Sequence, residues 1–512
     1  MERGPGADRA RRVARAVRQQ LPLLGFLAVM VVYYVFQESA GRWTDWATWT
    51  VFNDPQAEGF RLGHLYLPEP PSRALLALRD PLNPVHMTLW RWDRSYYKGH
   101  FYLYWGLVPA LMLAGVKAMF QIRRVVTDDV IVFVFFLGRL LAGTLLIRAL
   151  ARRVTPRPAS WAVGLAMALY ALAHPTPYLL ARGAVYEAAI IAGACFMVSG
   201  LGLALRGIFA TAPGPAVRWL TAASVCFGLA GGSRISLLPA VVLLVGFTAL
   251  ARWRIDGGDR GRLVRVGLAA CGPAAALTLA HLVLNKLRYQ AWSEFGARYQ
   301  MGNPLRAGWR FVIPNLFAYL FCPPTQRCTF PFLFGLWNTT HPLAPGWLPW
   351  PADYHADEPT SGLLVVAVFA WLAPAGILFA IIRRLTRANP AASPGPAREL
   401  LWRWRWVYGA LALYTSASVI PLLSLSAATM RYEADFASGL LLIAILGGWR
   451  LLSAPASRAG RAALSALYLT LAVTTIAASV LLGFTGYFEH FKRHNPLLLH
   501  RIESRFSVCR RP

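Results

Sequence analysis

The sequence predicts an all-α, polytopic integral membrane protein, and three observations carry that prediction. Of the 512 residues, 56% are hydrophobic and only 15% are charged. Apolar runs of about 20 residues, the length a helix needs to cross ~30 Å of hydrocarbon, recur along the chain. The arginines fall in the gaps between those runs, not along one amphipathic face, so the net charge of +29 reports topology and not nucleic-acid binding. Of the 52 basic residues only Lys98, Lys117, Lys286 and Lys492 are lysines, which points to a GC-rich bacterial genome.

Arg3, Arg9, Arg11, Arg12, Arg15 and Arg18 precede the first run, 21–36, and no small-residue cleavage site follows Phe36. Residues 1–20 therefore read as a basic cytoplasmic N-terminus ahead of a retained span, not as a signal peptide. Further runs lie near 101–120, 130–150, 161–180, 186–205, 217–231, 235–251, 264–284, 361–382, 406–425, 434–449 and 462–485. If every run crossed, the loops holding Arg152, Arg153 and Arg157, Arg252 to Arg265, Arg383 to Arg405, and Arg450, Arg458 and Arg461 would face outward, against the positive-inside rule. If 101–120 instead lies along the interface, about 11 transmembrane helices remain and those loops turn inward. Short inner loops then hold nineteen basic residues and short outer turns hold three, Arg182, Arg234 and Arg431. Tyr102, Tyr104, Trp105 and Lys117 suit a segment in the headgroup zone.

The plan that follows is a transmembrane domain over 21–485, with outer loops 37–130 and 285–360, interfacial helices in the first of these, and an outer C-terminal tail over 486–512. Function must then sit at the outer face. The inner linker Arg387–Arg398, with Pro390, Pro394 and Pro396, reads as a flexible connection. No internal repeat of fixed period is present, which counts against a transporter built from two related halves.

Absent motifs narrow the chemistry. There is no GxxxxGK[ST], no dinucleotide fingerprint, no HExxH, no Cys/His set with zinc spacing and no Asp-x-Asp pair. No cofactor and no metal is expected. Cys195, Cys226 and Cys271 lie inside apolar runs and read as small apolar residues. Cys322 and Cys328 flank Pro-Pro-Thr-Gln-Arg, where an oxidising compartment would allow a disulfide closing that small loop; otherwise they are two interfacial thiols. Asn338-Thr-Thr is a formal glycosylation sequon without meaning in a bacterial host.

Ionisable residues at outward span ends cost energy unless they do something, which makes them candidate functional groups. The segment 37–100 carries Asp45, Asp54, Glu58, Asp80 and Asp93, of which Asp54 and Asp93 are the candidate bases. Ala181-Arg182-Gly-Ala-Val-Tyr-Glu187 sets an arginine and a carboxylate about a turn apart. Gly231-Gly-Ser-Arg234 reads as a tight outer turn, and Arg431-Tyr-Glu-Ala-Asp435 repeats the arginine-at-the-mouth pattern. An arginine fork matches phosphate oxygens and stays charged near lipid, so each is a phosphate ligand or a headgroup anchor. Tyr97, Lys98 and His100, beside Asp93, complete the candidate binding groups.

The order of these elements resembles the membrane glycosyltransferases of the GT-C fold, the class that holds the protein mannosyltransferases and the aminoarabinose transferase of lipid A. In that class a first span leads into a long outer loop with a catalytic acid and interfacial helices, as 36–120 would here. Ser-Tyr-Tyr-Lys-Gly-His-Phe-Tyr-Leu-Tyr-Trp-Gly at 95–106, Ala-Gly-Gly-Ser-Arg at 230–234, Glu-Phe-Gly-Ala-Arg-Tyr-Gln at 294–300 and Met-Arg-Tyr-Glu-Ala-Asp-Phe at 430–436 are similar to stretches of bacterial members. The 181–187 turn is similar to the one that carries a second acid, usually Asp where this chain has Glu187. The Asp-Glu pair usual after the first span is not present as such, and Asn53-Asp54 occupies roughly its place.

The resemblance implies transfer of a sugar from a polyprenyl-phosphate carrier to a glycan, lipid or protein acceptor, at the outer face of the cytoplasmic (inner) membrane, among membrane lipids. Asp54 would act as general base with Asp93 positioning and Glu187 as the next candidate. Arginines would steady the departing phosphate. The alternative is a non-enzymatic lipid or polysaccharide transporter or an envelope-complex subunit. That reading needs charges at mid-span depth along a pathway, whereas only Arg139 and Arg148 sit within or near the end of one run and the distinctive charges lie at outer span ends, which favours the enzyme.

The topology is open to a direct check: a reporter fused after Pro512 is expected to read as extracytoplasmic. A cytoplasmic signal there, with the N-terminus also inside, would overturn the interfacial placement of 101–120.

Overall fold

Backbone amides in hydrocarbon must find partners within their own segment, and the apolar runs accordingly form helices. The computed structural model describes residues 5–302, 306–336, 346, 348, 350–354, 358–385, 395–454 and 457–509. The sequon at Asn338 and most of the 387–398 linker lie outside the described residues. The main helices are α1 (Pro5–Glu38), α2 (Asn53–Arg61), α3 (Val108–Phe120), α4 (Asp128–Ala151), α5 (Ser160–Leu172), α6 (Val185–Phe209), α7 (Pro213–Ser233), α8 (Leu238–Ile255), α9 (Arg260–Tyr289), α10 (Leu372–Leu385), α11 (Gly395–Leu423), α12 (Ala434–Leu452), α13 (Arg458–Thr485) and α14 (Pro496–Phe506). The protein is all-α and multi-pass, and among the described residues its strands are short and lie in the segments 94–102 and 300–334.

Among the described residues eight helices are long and apolar enough to cross a membrane: Gln20–Glu38, Asp128–Ala151, Val185–Phe209, Ile235–Ile255, Arg260–Tyr289, Glu399–Leu423, Met430–Leu452 and Arg458–Thr485. Three of the expected runs are broken. Run 101–120 opens as strand and becomes helix only in α3, whose 13 residues reach roughly 20 Å at 1.5 Å per residue, short of a crossing. Run 161–180 stops at His174-Pro175, because Pro175 has no N–H for the ladder, and resumes as the short helix Thr176–Leu180. Run 361–382 splits at Ala367 (φ −96°, ψ 65°) into Leu363–Val366, a tight turn Val368–Trp371 and α10.

The helices at 185–209 and 430–452 are central, each with 78% of its apolar window buried, whereas those at 20–38 and 260–289 are peripheral at 17% and 22%. With little hydrophobic drive between helices in lipid, close approach depends on small residues. A Cβ on Gly376 would lie 2.4 Å from the Gly447 Cα, and one on Gly143 would lie 2.0 Å from the Tyr170 ring.

The expected pairing of Cys322 with Cys328 is not what forms: Cys328 is bonded to Cys509, 181 residues away. Pro323 and Pro324 turn the chain into the strand Thr325–Gln326, which pairs with Leu333–Phe334 and carries Cys328 toward the C-terminal tail. There Val508 donates to the Cys328 carbonyl at 2.9 Å. Cys322 stays behind, buried against the Thr360 hydroxyl.

Lys117 bolts the 37–130 segment together. Its ammonium reaches Asp54 Oδ1 and Glu58 Oε1, both at 2.7 Å, and joins α3 to α2. Burial alone would lower the Lys117 pKa, but the bonds to Asp54 and Glu58 more than offset it and raise the pKa. Lys117→Met leaves the buried Asp54 carboxylate without its cation. The expected loss is about 3–5 kcal/mol, read as a lower melting temperature. A melting temperature equal to the parent's would show that the bolt carries no load.

Candidate active site

Asp93 is placed by a small sheet. β1 (Arg94–Tyr97) pairs antiparallel with β2 (His100–Tyr102) and with β3 (Gln300–Met301), so the loops 37–130 and 285–360 share one sheet. Lys98 and Gly99 turn β1 into β2 with positive φ at both positions (46° and 79°), the twist that suits a two-residue hairpin. At the other end of β1, Asp93 is left-handed (φ 62°), which Asp tolerates better than most residues, and its N–H donates to the Met301 carbonyl at 3.1 Å. Tyr104 donates its hydroxyl to Asp93 Oδ1 at 3.5 Å and accepts from Gln300 Nε2 at 2.7 Å. The Tyr186 hydroxyl lies beside the same Asp93 carboxylate.

Tyr186 also collects the arginines. The guanidinium of Arg182, in the link before α6, sits 4.8 Å from its ring centre, and that of Arg431, just before α12, sits 4.3 Å away. Both guanidiniums are held by one carboxylate. Glu358 Oε1 accepts from Arg182 Nη1 at 2.9 Å and from Arg431 Nη1 at 2.5 Å, while Oε2 accepts from the hydroxyls of Thr429 (2.5 Å) and Tyr487 (2.8 Å). Burial would raise the Glu358 carboxyl, but the cations Arg431 and Arg182 and the Thr429 bond lower it to about 2. For Arg182, burial works against the charge, yet Glu187 and Glu358 more than compensate and raise its pKa. Arg234 donates through Nε to Asp435 Oδ2 at 3.1 Å and stacks at 4.9 Å on Tyr432, the ring that Arg431 also faces at 5.4 Å. The three arginines singled out in the sequence thus converge.

Beneath them lies a set of buried acids. Glu187, in the first turn of α6, is 3.9 Å from Arg182 Nε. Glu38 ends α1 and Asp129 opens α4. Glu38 stands in the electrostatic reach of both Asp129 and Glu187. A Cβ on Gly183 would fall 2.5 Å from Asp129 Cα and Cβ and from Glu38 Oε1, so the two acids are neighbours across a residue that must be glycine. Glu38 Oε2, Asp129 Oδ1 and both Glu187 oxygens have no hydrogen-bond partner. Asp128 differs: it accepts from Thr50 Oγ1 and from the N–H groups of Phe52 and Asn53, and so pins the 37–130 segment. Among the described residues no group of three His, Cys, Asp or Glu side chains is arranged to hold a metal ion.

Not every candidate joins this cleft. Asp54 is committed to Lys117 and to the Val126 N–H, both on Oδ1. Tyr97, Lys98 and His100 lie at the hairpin end of β1, roughly 13 Å from Asp93 at 3.3 Å per strand residue. There Lys98 donates to Gln290 Oε1 at 2.8 Å, His100 stacks on Tyr66 at 4.1 Å and Tyr97 packs on Tyr299 at 4.6 Å. Glu358, Glu38 and Asp129 were not among the sequence candidates. Glu38 carried a signal: it is a carboxylate at the outward end of the first apolar run, the criterion that flagged the others. Asp129 follows the same rule at the start of the next long helix.

No family model matches the chain, and no curated protein matches it. Among solved structures, it is similar to the oligosaccharyltransferase of Archaeoglobus fulgidus in the apo form, at 17% identity over 90% of this chain and 56% of that one, with a TM-score of 0.46. It is similar also to Archaeoglobus fulgidus AglB in complex with an inhibitory peptide and a dolichol-phosphate (16% identity, 95% and 60% covered, TM-score 0.47). A third is ArnT from Cupriavidus metallidurans bound to undecaprenyl phosphate (13% identity, 93% and 77% covered, TM-score 0.41). The chain spans 56–60% of the length of these two archaeal chains.

Gly183→Ala tests the packing of the cleft. Its Cβ meets α4 backbone, which cannot swing aside, so a loss of about 1–3 kcal/mol in stability is expected by thermal unfolding. An unchanged melting temperature would mean that the link at 181–184 is looser than these contacts require.

Proposed function

We propose that the chain is a membrane glycosyltransferase that moves a sugar from a polyprenyl-phosphate carrier to an envelope acceptor, at a cleft facing outward from the cytoplasmic membrane. The observation that carries this reading is the meeting at Tyr186. A half-buried carboxylate, Asp93, lies at its hydroxyl and two guanidiniums lie on its ring. A transfer of this kind needs a base for the acceptor hydroxyl and cations for the leaving phosphate.

In this scheme Asp93 takes the acceptor proton, the acceptor oxygen attacks the anomeric carbon, and the bond from that carbon to the phosphate oxygen breaks. The electron pair leaves with the lipid phosphate, which Arg182 and Arg431 receive. Glu358 holds both arginines beforehand, so the phosphate must exchange with it. Glu187 orients Arg182, and Arg234 supports Arg431 through Tyr432. We assign Asp54 to anchoring the first loop through Lys117, and Glu38 with Asp129 to the buried acid floor. Eleven crossings follow if three more are added to the eight long apolar helices, namely α7, the broken run of α5 with Thr176–Leu180, and the broken run of Leu363–Val366 and Val368–Trp371 with α10, while α3 lies along the surface. The transporter alternative gains nothing from Arg139, whose guanidinium is fixed by Thr176, Ser438 and the Tyr170 ring.

The test is purified protein incubated with a panel of polyprenyl-phosphate sugars and an envelope extract, with release of free lipid phosphate as readout. Asp93→Asn is expected to lower turnover roughly 100-fold or more while donor binding survives. Normal turnover in Asp93→Asn would move the base to Glu38 or Asp129, and no release from any donor by folded protein would sink the reading.

Glu358→Gln is expected to tighten donor binding, because it frees two guanidiniums from a carboxylate that competes with the phosphate. Weaker donor binding in that variant, with expression unchanged, would instead make Glu358 a donor-site support.

A further inference from the structure

The far end of the bundle has the opposite charge pattern. α4 and α6 begin at the acid cleft and end at Ala151, two residues before Arg153, and at Phe209. The stretches 152–160, 206–219, 383–405 and 450–461 hold fourteen arginines and a single acid, Glu399. Most of these arginines are ordinary inward loop charges, but three converge. The guanidinium of Arg153 lies 4.9 Å from the Phe209 ring centre, and that of Arg403 lies 5.6 Å from the same ring. Arg206, within electrostatic reach of Arg153, lies 4.9 Å from the Trp219 ring. Trp404 packs edge-on against Phe209 at 6.2 Å.

These charges lack the compensation seen elsewhere. Arg252, nearby on α8, has a bidentate Asp256 and the carbonyls of Gly207 and Ala210. Arg153 has one carbonyl, that of Ala149. Arg403 has the Phe209 carbonyl at 3.2 Å and Glu399 at 3.4 Å, a carboxylate whose side chain is 52% exposed, and its buried Nε has no partner. Burial and the neighbouring arginines Arg206, Arg152 and Arg403 lower the Arg153 pKa. Residues 383–398, the adjoining linker, contain no Asp or Glu, so the sequence supplies no further counter-charge from that side.

We infer that the Arg153–Arg206–Arg403 cluster, on its Phe209 and Trp404 floor, is a binding site for the phosphate of an anionic membrane glycerophospholipid. A phosphodiester offers planar oxygen pairs that guanidinium forks match, and the apolar floor suits the glycerol and first methylenes behind it. Basic pockets between transmembrane helices at the inner surface are the expected place for such headgroups. The site is separate from the acid cleft and does not depend on the proposed transfer reaction.

Purified full-length protein in a neutral detergent is titrated with phosphatidylglycerol, phosphatidylcholine or inorganic phosphate, with bound lipid counted by native mass spectrometry and the melting temperature followed in parallel. Phosphatidylglycerol is expected to bind and to stabilise, phosphatidylcholine and inorganic phosphate far less. Removing two charged hydrogen-bonding partners in Arg153→Gln/Arg403→Gln should weaken phosphatidylglycerol roughly tenfold or more. Arg262→Gln, an exposed change in the first turn of α9, should leave it unchanged. If the double variant does not purify, the exposed Arg206→Gln carries the same comparison with a smaller expected loss. Equal phosphatidylglycerol binding by these variants and the parent, or equal binding of phosphatidylcholine, overturns the site. Stabilisation by inorganic phosphate as large as that by the lipid, and lost in the same variants, overturns the lipid and leaves a soluble anion as the ligand.

Discussion

One carboxylate neutralising two buried guanidiniums holds one end of the bundle together. Glu358 comes from the loop 285–360, Arg182 from the link before α6, Arg431 from the turn before α12, and Tyr487 from the turn after α13. Each of these chain segments ends or begins a helix, so the tie fixes how four separate parts of the bundle meet. Its strength is asymmetric. A buried pair contributes little net stability beyond an apolar equivalent, but removing one member leaves a charge in a poorly polar site and costs several kcal/mol. The arrangement is therefore better suited to defining geometry than to adding stability.

A second constraint is close backbone approach, which brings the small sheet onto the helices. A Cβ on Gly106 would sit 1.8 Å from the Ser233 carbonyl oxygen, one residue before Arg234, and one on Gly296 would meet the Tyr289 hydroxyl and Ser95 Oγ within 2.5 Å. Ser95 in β1 donates to the Gly296 carbonyl at 2.7 Å, and Arg288 at the end of α9 donates to the Leu103 carbonyl. With the sheet seated in this way, the half-buried Asp93 comes to Tyr104 and Tyr186. The motifs at 95–106, 230–234 and 294–300, which looked like separate resemblances in the sequence, are the parts of one joint.

What could be read from the sequence follows from locality. Apolar runs and arginine gaps depend only on neighbouring residues, so the helical multi-pass plan was legible. Arginines at outward span ends were legible because such charges need a reason. The partner of Cys328 was not, since Cys509 lies 181 residues on and the bond depends on how the tail packs. Glu358, set between Asp357 and Pro359, looks like a solvated loop acid, and only the fold reveals the two arginines around it. Glu38 could have been found, because the span-end criterion applied to Arg182 and Asp435 applies equally to the last residue of α1. Asp54 shows the converse limit: its closeness to the first span favours it as a base, and its pairing with the buried Lys117 is visible only in the fold.

The state of Glu358 constrains how an anion can enter the cleft. Its pKa in the fold, about 2, lies below the ordinary value of 4.5. For a depressed carboxylate the stabilisation is complete above the unfolded pKa and is lost only as pH falls through the folded one, here from about 4.5 down toward 2. Between pH 5 and 8 the carboxylate is charged, and protonation cannot release the arginines. Under the proposed transfer, an arriving phosphate has to compete with it directly, offering more oxygens to Arg182 and Arg431 than one carboxylate does. Thr429 and Tyr487 already bond its second oxygen, so a rotation that keeps those two bonds while giving up the arginines would be the least costly exchange. On that proposal the cleft would select by competition, favouring a phosphate anchored in the membrane at high local concentration over a weak anion.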